Sequence, residues 1–394
     1  MRMIVLIFFL LLLPLAGQAQ DDSLEILDDS VSLPPANQLI DEEFYRGEVT
    51  EIISEQQEEE VGLNGARPFT QEVRVRLTTG PRAGEEVTIQ YGVLQEDQKL
   101  LLGDAVVIVN PAAVTGTSGQ VYVFEKYRLN LVLILLALFV ILAVVFAGWR
   151  GITSMVGLGV SVAILALYVV PQIVGGANPL LVSMVASFAI AIISIYLAHG
   201  ISKRTSVAVV STLITIGLAI VLALGAVSFL GLSGSGSEEA YFLQTSPIEN
   251  LNLKGLLLGA IIIGALGVLD DITTAQAAAV DEIRKADPKL TAADLFKRGM
   301  SVGREHITSL INTLALAYAG TALPALLLFT VYQRPLWVVA NTEAITEEIV
   351  RTLVGSTALM VAVPITTFLA ANILSKYPPD PKSDNTGKTV GHSH

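Results

Sequence analysis

The chain has 394 residues, a formal net charge of −12 and no cysteine. It is 52% hydrophobic and only 15% charged, with a mean hydropathy of +0.63, whereas soluble domains carry about 25% charged residues. Lipid is therefore the expected solvent for much of the chain, and disulfides, thiolate catalysis and Cys-based metal sites are excluded.

The charge is uneven. Between Gln20 and Glu125 acidic residues outnumber basic ones more than threefold, and the remainder is nearly neutral. No large basic patch is present to neutralise phosphates, so nucleic acid is not an expected partner.

Met1-Arg2-Met3 is short and positive, and the apolar run Ile4–Leu13 is too short to span a bilayer core of about 30 Å. Gly17-Gln18-Ala19 supplies a small-x-small cleavage pattern, so residues 1–19 read as a secretory signal peptide. Residues 20–42 are an acidic linker containing Pro34-Pro35. Residues 43–125 read as an extracytoplasmic β-rich domain. From Gln71 to Leu77, Val73, Val75 and Leu77 alternate with Glu72, Arg74 and Arg76, the pattern of a half-buried strand. Gly80 to Gly84 is a turn cluster, and Val87–Tyr91, Gly47–Ile53 and Ala105–Val109 read as further strands. Several short strands in so short a stretch predict a small β-barrel, OB-like in type. Its acidity favours a structural or partner-docking role over nucleic-acid binding.

Residues 129–375 read as a membrane domain of seven helices, an α-helical polytopic architecture. The expected spans run from Leu131 to Ala147, Ile152 to Val170, Leu180 to Ala198, Val207 to Leu230, Gly255 to Ile272, Ile307 to Val331 and Leu353 to Leu374. The signal peptide places the acidic domain outside and, with seven spans, the C-terminus in the cytoplasm. Lys203, Arg204, Arg284, Lys285, Lys297 and Arg298 then fall on the inner side, which agrees with the positive-inside rule. Residues 376–394 read as a disordered cytoplasmic tail, and a multi-pass protein of the cell membrane is expected.

Ionisable groups are costly in a bilayer and are usually functional or paired. Here they concentrate on the fifth and sixth spans. Asp270 and Asp271 lie about 100° apart on a helix, and the Ala-rich run after them predicts that the fifth helix continues to Asp287-Pro288. Asp271 and Thr274 share a face. Gly255 and Gly259 form one small-residue pair on this helix and Gly264 and Gly267 a second, read first as helix packing. The sixth span brings Arg304, His306, Thr308 and Asn312. An Asp271–Arg304 ion pair is the leading expectation, and Asn312 is expected to face protein or a cavity. The segment from Ala292 to Met300 reads as an amphipathic surface helix begun by a capping box at Thr291.

These residues resemble the YibE/F family of prokaryotic membrane proteins. The resemblance rests on Gly264-Ala265-Leu266-Gly267 with Asp271, then Asp287-Pro288, Leu295-Phe296, Gly303-Arg304, Asn312-Thr313-Leu314, Leu316-Ala317-Tyr318 and Gly320. It implies a multi-span membrane protein with a transport-type role and supplies no substrate or mechanism.

The residues themselves leave two functions open. One is a transporter or channel for an ion or small solute, with a pathway at Asp270, Asp271, Thr274, Arg304, His306 and Asn312. The other is an assembly or signalling protein that docks an extracytoplasmic partner through its outer domain, or a homo-oligomer. An enzyme is not expected, since the acidic residues lack the spacing of a metal-bound diphosphate site and no second span carries a partner aspartate. No catalytic residue, metal ligand or cofactor is assigned. Membrane lipid is the expected neighbour.

Overall fold

A computed structural model describes residues 42–57, 69–93, 98–111, 121–244, 248 and 251–377. The expected signal peptide, the expected acidic linker up to Asp41 and the expected tail beyond Tyr377 lie outside the described residues. The chain divides into two compact units, Met1–Arg128 and Leu129–His394.

The first unit is one antiparallel sheet of β1 (Glu42–Gln57), β2 (Phe69–Leu77), β3 (Glu86–Val93), β4 (Ala105–Pro111) and β5 (Tyr122–Lys126). Their order is β3-β2-β1-β4-β5, and the two edge strands, β3 and β5, approach one another. Val73, Val75 and Leu77 turn inward as their alternation requires, against Tyr45, Val49, Ile89, Val106 and Ile108. On the outer face Arg74 pairs with Glu51, and Arg76 with Glu86. Gly47 lets Val75 and Ile108 close over the strand, since a Cβ there would stand 2.5 Å from Val75 Cγ1 and 2.6 Å from Ile108 Cδ1 and both would have to shift. The buried Gln71 amide accepts from Leu100 N at 2.8 Å and donates to Leu100 O at 3.2 Å, closing the core without an orphaned polar group. β1 is longer than the expected Gly47–Ile53 because two register irregularities against β2 let it bend and keep pairing. β5 was not expected, because only Val123 of its five residues is buried and no alternation shows.

The second unit is helical: α1 (Leu129–Ala147), α2 (Trp149–Val174), α3 (Pro179–His199), α4 (Lys203–Phe229), the short α5 (Glu238–Gln244), α6 (Leu253–Ala286), α7 (Ala292–Thr321), α8 (Leu323–Val331), the short α9 (Leu336–Ala340) and α10 (Glu343–Leu374). Six of these helices are long and apolar enough to cross a membrane, which makes the chain a multi-pass membrane protein. The expected sixth span is a bent pair, α7 and α8, meeting at 53°, and only if that pair crosses as one unit does the count reach seven. Pro324 lies in the first turn of α8, just past the bend. The expected surface helix from Ala292 is corrected, since it runs without a break into α7. Thr291 does cap it, accepting from Asp294 N at 3.2 Å.

α6 is the axis of the bundle, with α3, α4, α7 and α10 packed round it. Its 34 residues make it about 51 Å long, and it continues well past Ile272 as the sequence predicts. Close approach depends on small residues. A Cβ on Gly259 would stand 2.9 Å from Ser183 Cβ of α3, and one on Gly299 would stand 2.8 Å from both Thr367 Cγ2 of α10 and Val280 Cγ2 of α6. Gly303 packs on Val363 and Gln276 with no room for a Cβ, whereas at Gly267 nothing lies within 4 Å. Thermal melts in detergent should separate these roles. Gly299→Ala and Gly303→Ala are expected to lose about 1–3 kcal/mol through overpacking, and Gly267→Ala is expected to match the wild-type midpoint or exceed it slightly.

Candidate functional site

The polar residues of α6 are distributed round the helix, each turned to a different neighbour. Asp270 is half-buried and accepts from Ser194 Oγ of α3 at 3.1 Å. Thr273 shares a 2.6 Å hydroxyl–hydroxyl bond with Thr212 of α4. Gln276 is fully buried and donates to Gly299 O of α7 and to Thr367 Oγ1 of α10, both at 2.8 Å. About two turns further on, Arg284 donates to Asp281 Oδ1 at 2.6 Å and to Leu374 O at 3.0 Å, tying α6 to the end of α10.

One face of α6 has no covering helix. Ala260, Gly267, Asp271 and Ala275 are exposed on it, with Gly264, Thr274 and Ala278 partly so. The spacing of three and four residues places them in one stripe. From Ala260 to Ala278 the stripe is about 27 Å long, close to the roughly 30 Å of a bilayer core. Asp271 is its one charged residue. A cavity lies at each end. One, of about 300 Å³, is bounded by Thr274, Ala275 and Ala278 of the stripe and by Arg150, His199, Arg204 and Thr205. His199 is the titratable group nearest in effect to Asp271, and Arg204 and Arg150 stand near His199. The other cavity, of about 670 Å³, is bounded by Leu256, Ala260, Thr321 and Pro324 together with Glu347, Glu348 and Arg351.

That second cavity is held by a folded loop. Ser233 N, at 2.6 Å, and Gly234 N, at 3.0 Å, donate to Glu343 at the start of α10, and Gly236 N donates to the buried Glu347 at 3.0 Å. Gly236 is fixed by space, because a Cβ would stand 2.7 Å from Ala344 N.

The expected site residues therefore part company. Asp270, Asp271 and Thr274 lie together on α6, with Asp271 and Thr274 sharing a face as read from their spacing. Arg304 and Asn312 do not join them. Both are exposed on α7, and the expected Asp271–Arg304 ion pair is not formed. The expectation that Asn312 faces protein or a cavity is likewise not met within the single chain, where it is exposed and Gly299, Gly303 and Leu314 occupy the packed side of α7. His306 is half-buried, and its Nδ1 has no hydrogen-bond partner. Ser194, His199 and Arg150 were missed. His199 and Arg150 sit at helix ends and read only as flanking charges, and a lone serine carries no signal. No group of three or more His, Cys, Asp or Glu placed to hold a metal occurs among the described residues.

Removing Arg284 leaves the buried Asp281 with only Lys285 Nζ, at 3.4 Å. Arg284→Ala is expected to cost about 3–5 kcal/mol, read as a lowered melting midpoint, while Lys285→Ala, whose shortest ion pair is to the exposed Glu282, is expected to cost under about 1 kcal/mol.

No curated protein and no solved structure matches the chain. The family model described as YibE/F-like protein matches residues 135–376, a stretch that begins in α1 and ends just past α10. It covers more than half of the chain, all of α6 and α7 included, and the chain belongs to the YibE/F-like family.

Proposed function

We propose that this protein is a membrane transporter or channel for a small charged solute or ion, and that the open face of α6 is its path. The observation that carries this reading is the stripe of small residues with a single carboxylate, Asp271, joining two cavities across about one bilayer thickness. Small residues leave width for a solute, and the carboxylate supplies a proton or cation station at mid-depth. The cavity at Arg150, His199 and Arg204 carries two guanidinium groups and favours an anion there, with Asp271 then serving the coupled proton. In this reading the β domain is OB-like and extracytoplasmic, the C-terminus is cytoplasmic, and the membrane is the cell membrane.

A second reading rests on one feature of the β unit. Phe44 and Phe124 stand edge to face with centroids 6.1 Å apart, yet both are more than half exposed. Such a pair on an acidic domain favours docking of an extracytoplasmic protein. Deleting residues 21–125 distinguishes the two, because transport by the helical unit survives the deletion and docking does not.

The test is flux in proteoliposomes carrying the full chain and a pH-sensitive dye, with inward gradients of chloride, phosphate or acetate and of sodium or potassium in turn. Asp271→Asn is expected to lower the responding flux at least tenfold while leaving the melting midpoint in place. Gly267→Leu, which fills the stripe without touching a charge, is expected to do the same. Flux that is equal in wild type and both variants contradicts the proposal.

A further inference from the structure

We propose that α7 is the surface through which two copies of this chain associate side by side in the membrane. The seam is Ser301, Glu305, Thr308, Asn312, Ala315 and Ala319, all exposed. It does not depend on the transport reading.

The spacing along the seam alternates four and three residues throughout, which is the repeat that keeps one face of a helix against a parallel neighbour. The opposite side of α7 is already used, where Gly299 and Gly303 press on α10 and Leu314 joins the core. The seam is thus the free side of a helix whose other side is fixed.

Lipid does not suit this seam. The Asn312 amide makes no hydrogen bond within the chain among the described residues, and neither Arg304 nor Glu305 has an ion-pair partner there. In a bilayer an amide or a charge left unpaired is costly. Thr308 is different, since its hydroxyl donates to Arg304 O at 3.0 Å.

A second copy supplies what the seam lacks. Two chains inserted with the same orientation are related by a two-fold axis along the membrane normal, so their α7 helices run parallel and equal residues meet at equal depth. An asparagine amide both donates and accepts, so two Asn312 side chains satisfy each other across the axis. Arg304 of each copy lies beside Glu305 of the other, one position off the seam, which pairs both charges. Ala315 and Ala319 then let the two backbones come close. An unrelated partner would have to present this same order of amide and charges, whereas a second copy presents it by symmetry.

The absence of cysteine in the natural chain makes the test direct. Single substitutions Thr308→Cys and Ala315→Cys in the full chain are oxidised in native membranes and run on non-reducing gels. Both are expected to give a band at twice the chain mass. Thr313→Cys, exposed but turned about 100° from Asn312, and Val221→Cys on α4 are expected to stay monomeric. Because cross-linking alone can trap collisions, the mass of the detergent-solubilised protein is measured by light scattering. Wild type is expected to be a dimer and Ala315→Trp a monomer with an unchanged melting midpoint. Equal cross-linking at Thr308, Thr313 and Val221, a cross-linked band at another mass, or a monomeric wild type overturns the proposal.

Discussion

A bilayer core offers no water to a polar group, so an amide, hydroxyl or charge that enters it is costly unless protein supplies a partner. α6 is built round that constraint. It meets α3 through Asp270, α4 through Thr273, α7 and α10 through Gln276, and the end of α10 through Arg284. Each of these bonds fixes the rotation of one neighbour about the axis, in a medium where apolar contact alone gives little orientational preference. Once four faces are committed, the remaining face with Gly264, Gly267 and Asp271 is left open. The candidate path is the complement of the packing.

The two glycine pairs on α6 show why a motif alone does not state its purpose. Gly255-x3-Gly259 and Gly264-x2-Gly267 look equivalent in sequence. Gly259 is pressed against Ser183, so it serves packing, whereas Gly267 has open space before it. The difference lies in which neighbour stands on that side of the helix. It is a tertiary fact, absent from the local spacing.

Much of the helical layout was legible because periodicity and hydropathy report it directly. The run of α6 past Ile272 followed from the Ala-rich stretch and the proline at 288. The bend between α7 and α8 was not legible, because Pro324 interrupts an otherwise continuous apolar stretch without revealing an angle. In the β unit the alternation at Val73, Val75 and Leu77 marked β2, while β5 buries one residue and leaves no pattern. At the site, the shared face of Asp271 and Thr274 came from their spacing alone. The wrong partner for Asp271 came from assuming that opposite charges at one depth must meet. Arg304 is at a suitable depth, but its rotation about α7 is set by Gly299 and Gly303, which turn it away. His199, at a helix end remote in sequence, is the titratable group near Asp271 instead.

The central claim is that the open face of α6 is wet along its length. The cysteine-free chain allows this to be measured by placing single cysteines at Ala260, Gly264, Gly267 and Ala278, and at the packed positions Ile261 and Leu269, then treating intact membranes with a water-soluble, membrane-impermeant maleimide from each side in turn. The account predicts labelling at all four stripe positions from at least one side, with the accessible side changing between Ala260 and Ala278, and none at Ile261 or Leu269. Stripe positions that remain as unreactive as Ile261 would contradict it.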